Sequence, residues 1–198
     1  MAEKTATKER MIQAALDLFH THGVKGTSID LVLEKSATGK SQFAHYFKTK
    51  DGLVHAVLRY LHDFIREGRA PTGYDIRSWE DMEAWFGKYI AFQESVDCER
   101  SCPLGTIAND LGNDQELLRQ EVRLFLQWCR GQLARFFAER KAVGELDVSA
   151  DPDGLADFCI AIMQGGMLLS KMQRDTNSFQ NAADHAVAYM RLLRTTHR

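Results

Sequence analysis

Proline is scarce in this 198-residue chain, standing only at positions 71, 103 and 152. Long stretches therefore lack the residue that most reliably breaks a helix. Apolar residues spaced at helical period fill them, so the fold class expected is all-α, with about nine helices. The four cysteines (Cys98, Cys102, Cys129, Cys159) are too few for a disulfide framework in a chain of this length, and free thiols are expected. No apolar run reaches the roughly 18 residues needed to span a bilayer, and the opening MAEKTATKER is too polar for a signal peptide. The expectation is a cytoplasmic protein with no membrane partner. A P-loop, a Gly-rich dinucleotide turn, an HExxH pair and a nucleophile elbow are all missing. No His or further Cys stands at zinc-ligand spacing from Cys98 and Cys102. Accordingly no catalytic residue, metal ligand or cofactor is expected, and the chain does not read as an enzyme.

What is present is unevenly distributed. Hydrophobic residues make up 44% and charged residues 26%, enough apolar content to bury a core. The first 60 residues hold nine Lys/Arg against six Asp/Glu, a balance of +3, so with a net charge of −2 the remainder carries −5. A mildly basic head on an acidic body suits nucleic-acid contact at one end. The Gly/Pro-containing stretch GRAPTGYDIRS divides a head, residues 1–66, from a body, residues 75–198.

Within the head, a first helix over about Thr7 to His22 aligns Ile12, Ala15, Leu16 and Phe19, and Gly23 is placed to end it. Residues 28–47, SIDLVLEKSATGKSQFAHYF, read as two short amphipathic helices joined by a polar turn. Ile29, Val32 and Leu33 share one face of the first, with Thr27 or Ser28 as its cap; Phe43 and Phe47 share one face of the second. With those phenylalanines turned inward, a short exposed row of small, amide and basic groups remains, narrow enough for a DNA major groove. The pattern is a helix-turn-helix. Its chemistry assigns roles: Gln42 can pair bidentately with adenine, and Lys40 can read guanine or hold a phosphate. Thr27, Ser28, Tyr46, Lys48 and Lys50 suit backbone contacts. Thr38, Gly39, Ser41, Ala44 and His45 complete the candidate DNA-binding set. A fourth helix opens at Thr49 and continues through Val54, Val57, Leu58, Leu61 and Ile65.

The AALDLF run, the G-x-x-x-T-S entry from Gly23 to Ser28, and the K-x-x-F-x-H-Y-F-K-T-K-D-x-L run from Lys40 to Leu53 together resemble the DNA-binding head of tetracycline-repressor-like (TetR/AcrR) regulators. The resemblance covers roughly the first 60 residues. Two positions depart from it: Ala37 stands where the family usually has a turn glycine, and Ala44 where it very often has a tyrosine. The resemblance implies a homodimer on double-stranded operator DNA, paired through the two C-terminal helices, with a small-molecule effector held inside the body.

The body keeps helical periodicity from Trp79 onward. Residues that suit the interface are Leu155, Phe158, Ile162, Gly165, Gly166 and Leu169 on the penultimate helix, with Ala186, Tyr189, Met190 and Leu193 on the last. The paired glycines cost on the order of 1 kcal/mol each inside a helix and so point to a close neighbour. For an apolar effector the candidate wall is Trp85, Tyr89, Phe92, Cys102, Leu104, Phe125, Trp128, Met163 and Met167. The reading is a ligand-responsive regulator, repressing from a palindromic site and released by a small apolar molecule. Two alternatives stay open. Cys98 and Cys102, sharing one helical face near Arg100, would serve a thiol-based sensor of oxidants or electrophiles. A helical interaction protein that has lost DNA binding is the other, motivated by Ala37 and Ala44.

Overall fold

A computed structural model describes residues 2–195, with side chains from Ala6 onward. Among these residues there are nine helices and no strand, only an isolated bridge between Leu146 and Arg194. The helices are α1 (Ala2–Gly26), α2 (Ile29–Ser36), α3 (Lys40–Tyr46), α4 (Lys50–Arg66), α5 (Trp79–Ser95), α6 (Pro103–Asp110), α7 (Glu116–Ala142), α8 (Pro152–Gln173) and α9 (Asn177–Leu192). They form two compact units. The first takes the chain as far as Phe64 together with Ser101–Leu124; the second takes Ile65–Arg100 and everything from Phe125 onward. The segment bearing α6 and the first residues of α7 thus belongs with the head, although it is distant in sequence.

In the first unit the apolar stripes meet as their spacing requires. Met11, Ile12, Ala15 and Phe19 of α1, Val32 and Leu33 of α2, Phe43 and Phe47, and Leu53, Val54, Val57 and Leu58 of α4 are all buried. Gly23, at φ 71°, kinks α1 near its end. There Asp110 of α6 accepts the Lys25 backbone N–H at 3.1 Å, which ties α6 to the entry of α2. Of the two possible caps for α2, Ser28 does the work, its hydroxyl accepting the Leu31 N–H at 3.1 Å. At the other end of α2, Thr38 N–H reaches Leu33 O (3.0 Å) and Ala37 N–H reaches Glu34 O (3.1 Å). This is a Schellman closure with Ala37 in the left-handed region, φ 51° and ψ 52°. An alanine there bears a steric penalty of roughly 1–2 kcal/mol that glycine escapes, partly offset by glycine's freer unfolded chain. Ala37→Gly is therefore expected to stabilise by about 0.5–1 kcal/mol and raise Tm by about 1–4 °C in a thermal melt. A lower Tm would show that the turn is held open by other contacts.

In the second unit, Ser78 and Asp81 close a reciprocal capping box on α5, Ser78 Oγ accepting Asp81 N–H (3.1 Å) and Asp81 accepting Ser78 N–H (3.0 Å). Asp151 caps α8, with Pro152 in its first turn. Gly166 is required by packing inside this unit: a Cβ there would lie 2.2 Å from the Phe179 ring of α9. By length and composition α8 is the one helix among the described residues apolar enough to cross a membrane, which corrects the expectation that no segment reaches that length. Its buried side, Leu155, Ala156, Cys159, Met163 and Met167, packs in the unit's own core against α5 and α9.

An ion cluster fastens α5 to the chain's end. Glu83 accepts from Arg191 (3.0 Å) and Arg194 (3.3 Å), and the hydrogen bond from Arg191 holds its carboxyl below the usual range. A group whose folded value is depressed contributes stability above its unfolded value, about 4.3 for glutamate, and loses it as pH falls through the folded value. The Tm of wild type minus that of Glu83→Gln is expected to be positive at pH 7 and to shrink below about pH 4. A difference that stays constant with pH would mean the pair contributes through packing alone.

Candidate nucleic-acid interface

The α3 surface forms because Phe43 and Phe47 turn inward, 4% and 5% exposed, with ring centroids 5.5 Å apart. That leaves Gly39, Lys40, Ser41, Gln42, Ala44 and His45 outward as one exposed set. Gln42 Oε1 accepts the Gly39 backbone N–H at 3.0 Å, capping α3 from within. A carbonyl oxygen has two lone pairs, so this cap does not stop Gln42 from also accepting an adenine N6–H. Lys40 pairs with Asp30 at 3.1 Å, both side chains open to solvent. Such a pair is worth only about 0–1 kcal/mol, so a phosphate can compete for the lysine.

Around this row the sequence-predicted residues divide. Ser28 is exposed at the start of α2, while Thr27 is buried and its hydroxyl donates to Gly23 O at 2.7 Å, so its side chain does not reach the outer surface. Thr38 is half-buried against Ser36 Oγ (2.7 Å). Tyr46 and Lys50 are half-buried, and Lys48 is exposed in the α3–α4 turn at φ 63°. That turn is tight: Thr49 Oγ1 accepts the Gly52 N–H at 3.1 Å, and a Cβ on Gly52 would fall 2.1 Å from Phe47 O. Lys8 and Arg59, which are not among the residues expected from the sequence, border a cleft of about 350 Å³ beside Tyr46 and Phe47. Their only signal was the head's excess of basic residues.

The same unit holds a clamp that periodicity does not reveal. Gln115 donates to Asp51 Oδ1 at 2.7 Å, and His55 contacts Glu121. With Asp110 on Lys25, the α6–α7 segment grips both the end of α1 and the start of α4.

In the second unit, Trp85, Tyr89, Phe125 and Trp128 gather about Tyr74, which no apolar stripe announced because it stands in the loop before α5. Tyr74 lies 5.8 Å from Trp85 and 5.7 Å from Trp128, and Trp85 lies 5.0 Å from Tyr89. Burial raises the Tyr74 hydroxyl well above its ordinary value, with Tyr89 and Cys129 adding to it. Phe92 is half-buried, and Met163 and Met167 are buried. Cys102 and Leu104, at the start of α6, belong to the first unit. Of the nine, only Trp128 borders the cleft of about 500 Å³ formed with residues 65–75.

On α8 and α9, Phe158, Leu168, Leu169, Met172, Tyr189 and Leu192 are exposed, and Phe158 meets Tyr189 edge-on at 5.8 Å. Gly165 opens onto free space on this side. Ile162 and Leu193 are half-buried. Leu155, Gly166, Ala186 and Met190 do not join the exposed stripe; they face the protomer's own core. Leu168, Met172 and Leu192 take their place.

Residues 96–102 are not helical, so Cys98 and Cys102 share no helical face, contrary to expectation. Cys98 is buried, and burial, with Asp175, Glu94 and Asp97 nearby, pushes its thiol upward, away from the reactive thiolate.

A helix-turn-helix with an exposed polar row on its second helix is an element type that enters a DNA major groove. Residues 11–57 match the family described as "Bacterial regulatory proteins, tetR family", and residues 79–186 match "Tetracyclin repressor-like, C-terminal domain". The chain belongs to the tetR family of bacterial regulatory proteins and is a DNA-binding regulator of transcription. It is 23% identical over 173 residues to the HTH-type transcriptional repressor DhaR of Mycobacterium sp. (strain GP1), covering 87% of this chain and 86% of that one. To the repressor ComR of Escherichia coli (strain K12) it is 28% identical over 165 residues, covering 82% and 78%. Its fold matches the crystal structure of a TetR transcriptional regulator from Chloroflexus aurantiacus J-10-FL with a TM-score of 0.84 at 23% identity, over 99% and 100% of the two chains.

Proposed function

We propose that this protein is a cytoplasmic, homodimeric repressor that binds a pseudo-palindromic operator and is released by a small apolar effector. The observation that carries the reading is the α3 row: six outward small, amide and basic residues on a helix braced by two buried phenylalanines. Gln42 reads adenine, Lys40 reads guanine or holds phosphate, and Ser28, Tyr46, Lys48 and Lys50, with Lys8 and Arg59, contact the backbone. A twofold dimer through the apolar stripe of α8 and α9 presents two such rows to two half-sites. The relatives named as repressors support the direction of control.

The aromatic and methionine side chains of the second unit form the effector's wall. Release is a population shift: an effector that binds the DNA-incompetent state 100-fold better moves the equilibrium by about 2.7 kcal/mol. Within the first unit, the α6–α7 clamp on α1 and α4 is the set of contacts whose loss would loosen the reading head. The test is a gel shift with the DNA flanking the protein's own gene, at about 50 and 200 mM salt. A retarded band is expected at low salt and should weaken steeply at the higher. No band at low salt would sink the proposal.

A further inference from the structure

We propose that the side-chain amide of Gln93 is the polar anchor of the effector site, selecting a neutral molecule whose apolar body ends in a carboxamide or a similar acceptor–donor pair. The inference rests on the effector reading above and names what that effector must carry.

Gln93 stands in the last turn of α5 and is fully buried, at 0% exposure. Neither its Oε1 nor its Nε2 has a hydrogen-bond partner among the described residues. Buried side-chain polar atoms are nearly always paired, because an unpaired one has lost water and gained nothing. A leucine or methionine of similar size would avoid that penalty. The backbone beneath the amide is held, since the Gln93 carbonyl accepts N–H bonds from Cys98 (2.8 Å) and Val96 (3.3 Å). Tyr89 and Phe86, four and seven residues earlier, are buried on the same stripe of α5.

The buried polar groups of this unit also define the ligand's charge. Helix α5 packs on α8, whose buried side brings Met163, Met167 and Ser170. Ser170 Oγ already donates to Gly166 O at 2.9 Å. In the second unit Gln93 and Ser170 are the described buried amide and hydroxyl residues apart from the tyrosines. No described Lys or Arg there is buried as a whole, and half-buried Arg140 already pairs with Glu145, so a carboxylate would meet a cation that is already neutralised. A primary amide offers an acceptor beside a donor, and another carboxamide satisfies both at once. Thioether and aromatic neighbours suit the apolar remainder.

The test uses three probes of one shape: hexanamide, 2-heptanone and 2-methyl-1-heptene. They differ only in whether the branched end accepts and donates, accepts only, or does neither. Each is titrated by calorimetry into the full chain, without DNA, for wild type, Gln93→Leu and Gln93→Met. The hexanamide-to-alkene affinity ratio is expected to fall at least about tenfold in both variants, because truncating one hydrogen-bonding partner strands the other. With no probe present, at least one variant should melt higher than wild type. Unchanged ratios, no binding of any probe, or a lower Tm in both variants would each overturn the proposal. Operator binding is read separately by fluorescence anisotropy. Its loss with the ratio intact removes the regulator reading and leaves the anchor; the reverse pattern removes the anchor and leaves the regulator.

Discussion

Replacing Leu168 and Leu169 together with glutamate is expected to leave the protein folded, make it monomeric at micromolar concentration, and weaken operator binding by about 100-fold or more. Both side chains are exposed, at 52% and 44%, and neither belongs to the protomer's buried core. They lie within a stripe that runs from Phe158 past Gly165 to Met172 on α8 and continues over Tyr189 and Leu192 on α9. A face this apolar rarely stays uncovered on a protein of this size. In a twofold interface each substitution appears twice, so four carboxylates would be forced into a dry seam. Operator affinity falls because a monomer engages one half-site and forfeits the effective concentration that the second head enjoys. Sedimentation velocity and anisotropy read the two outcomes independently. A double variant that still sediments as a dimer would place the interface elsewhere.

The second large effect concerns the reading row. Gln42→Ala is expected to cost about 1–3 kcal/mol per half-site and to relax preference at one base pair in each. Because its oxygen also caps Gly39, some loss of α3 stability is built into the change. Gln42→Glu separates the two effects: it keeps an acceptor for Gly39 N–H but loses the amide donor that adenine N7 needs. Lys48→Ala should behave differently, weakening all sequences alike. Each protomer then neutralises one phosphate fewer, and the dimer two, so the slope of log K against log salt should flatten by about 2. A Lys48→Ala variant with altered base preference and an unchanged slope would refute the backbone role given to it.

Much of the fold was legible because helical period is a local property. The buried pairs Val54/Val57 and Phe43/Phe47 stand three and four residues apart, and residues spaced that way on a helix must share a face whatever surrounds them. Helix ends were legible where a side chain caps its own turn, as Ser28 and Thr49 do. The departure at Ala37 was visible too, but not its consequence: the backbone keeps the left-handed turn and alanine bears the strain.

What escaped the linear reading involves partners far apart in the chain. Nothing local ties Asp110 to Lys25, 85 residues away, or Gln115 to Asp51, 64 away. The two adjacent glycines show the same limit. Both were assigned to one interface, yet neighbours on a helix point about 100° apart, so Gly166 meets Phe179 while Gly165 opens outward. Tyr74 joined the aromatic cluster from a loop that has no period to betray it.

By itself, then, the order of residues determined the all-α class, the helix-turn-helix and the identity of the outward groups on α3, because backbone period and capping act within a few residues. Only the tertiary structure decided that α6 belongs with the head, which half of the C-terminal apolar residues stays uncovered, and that Gln93 is buried without a partner. Those outcomes depend on which surfaces meet, and the meeting of surfaces is a global balance of burial that no short window of sequence contains.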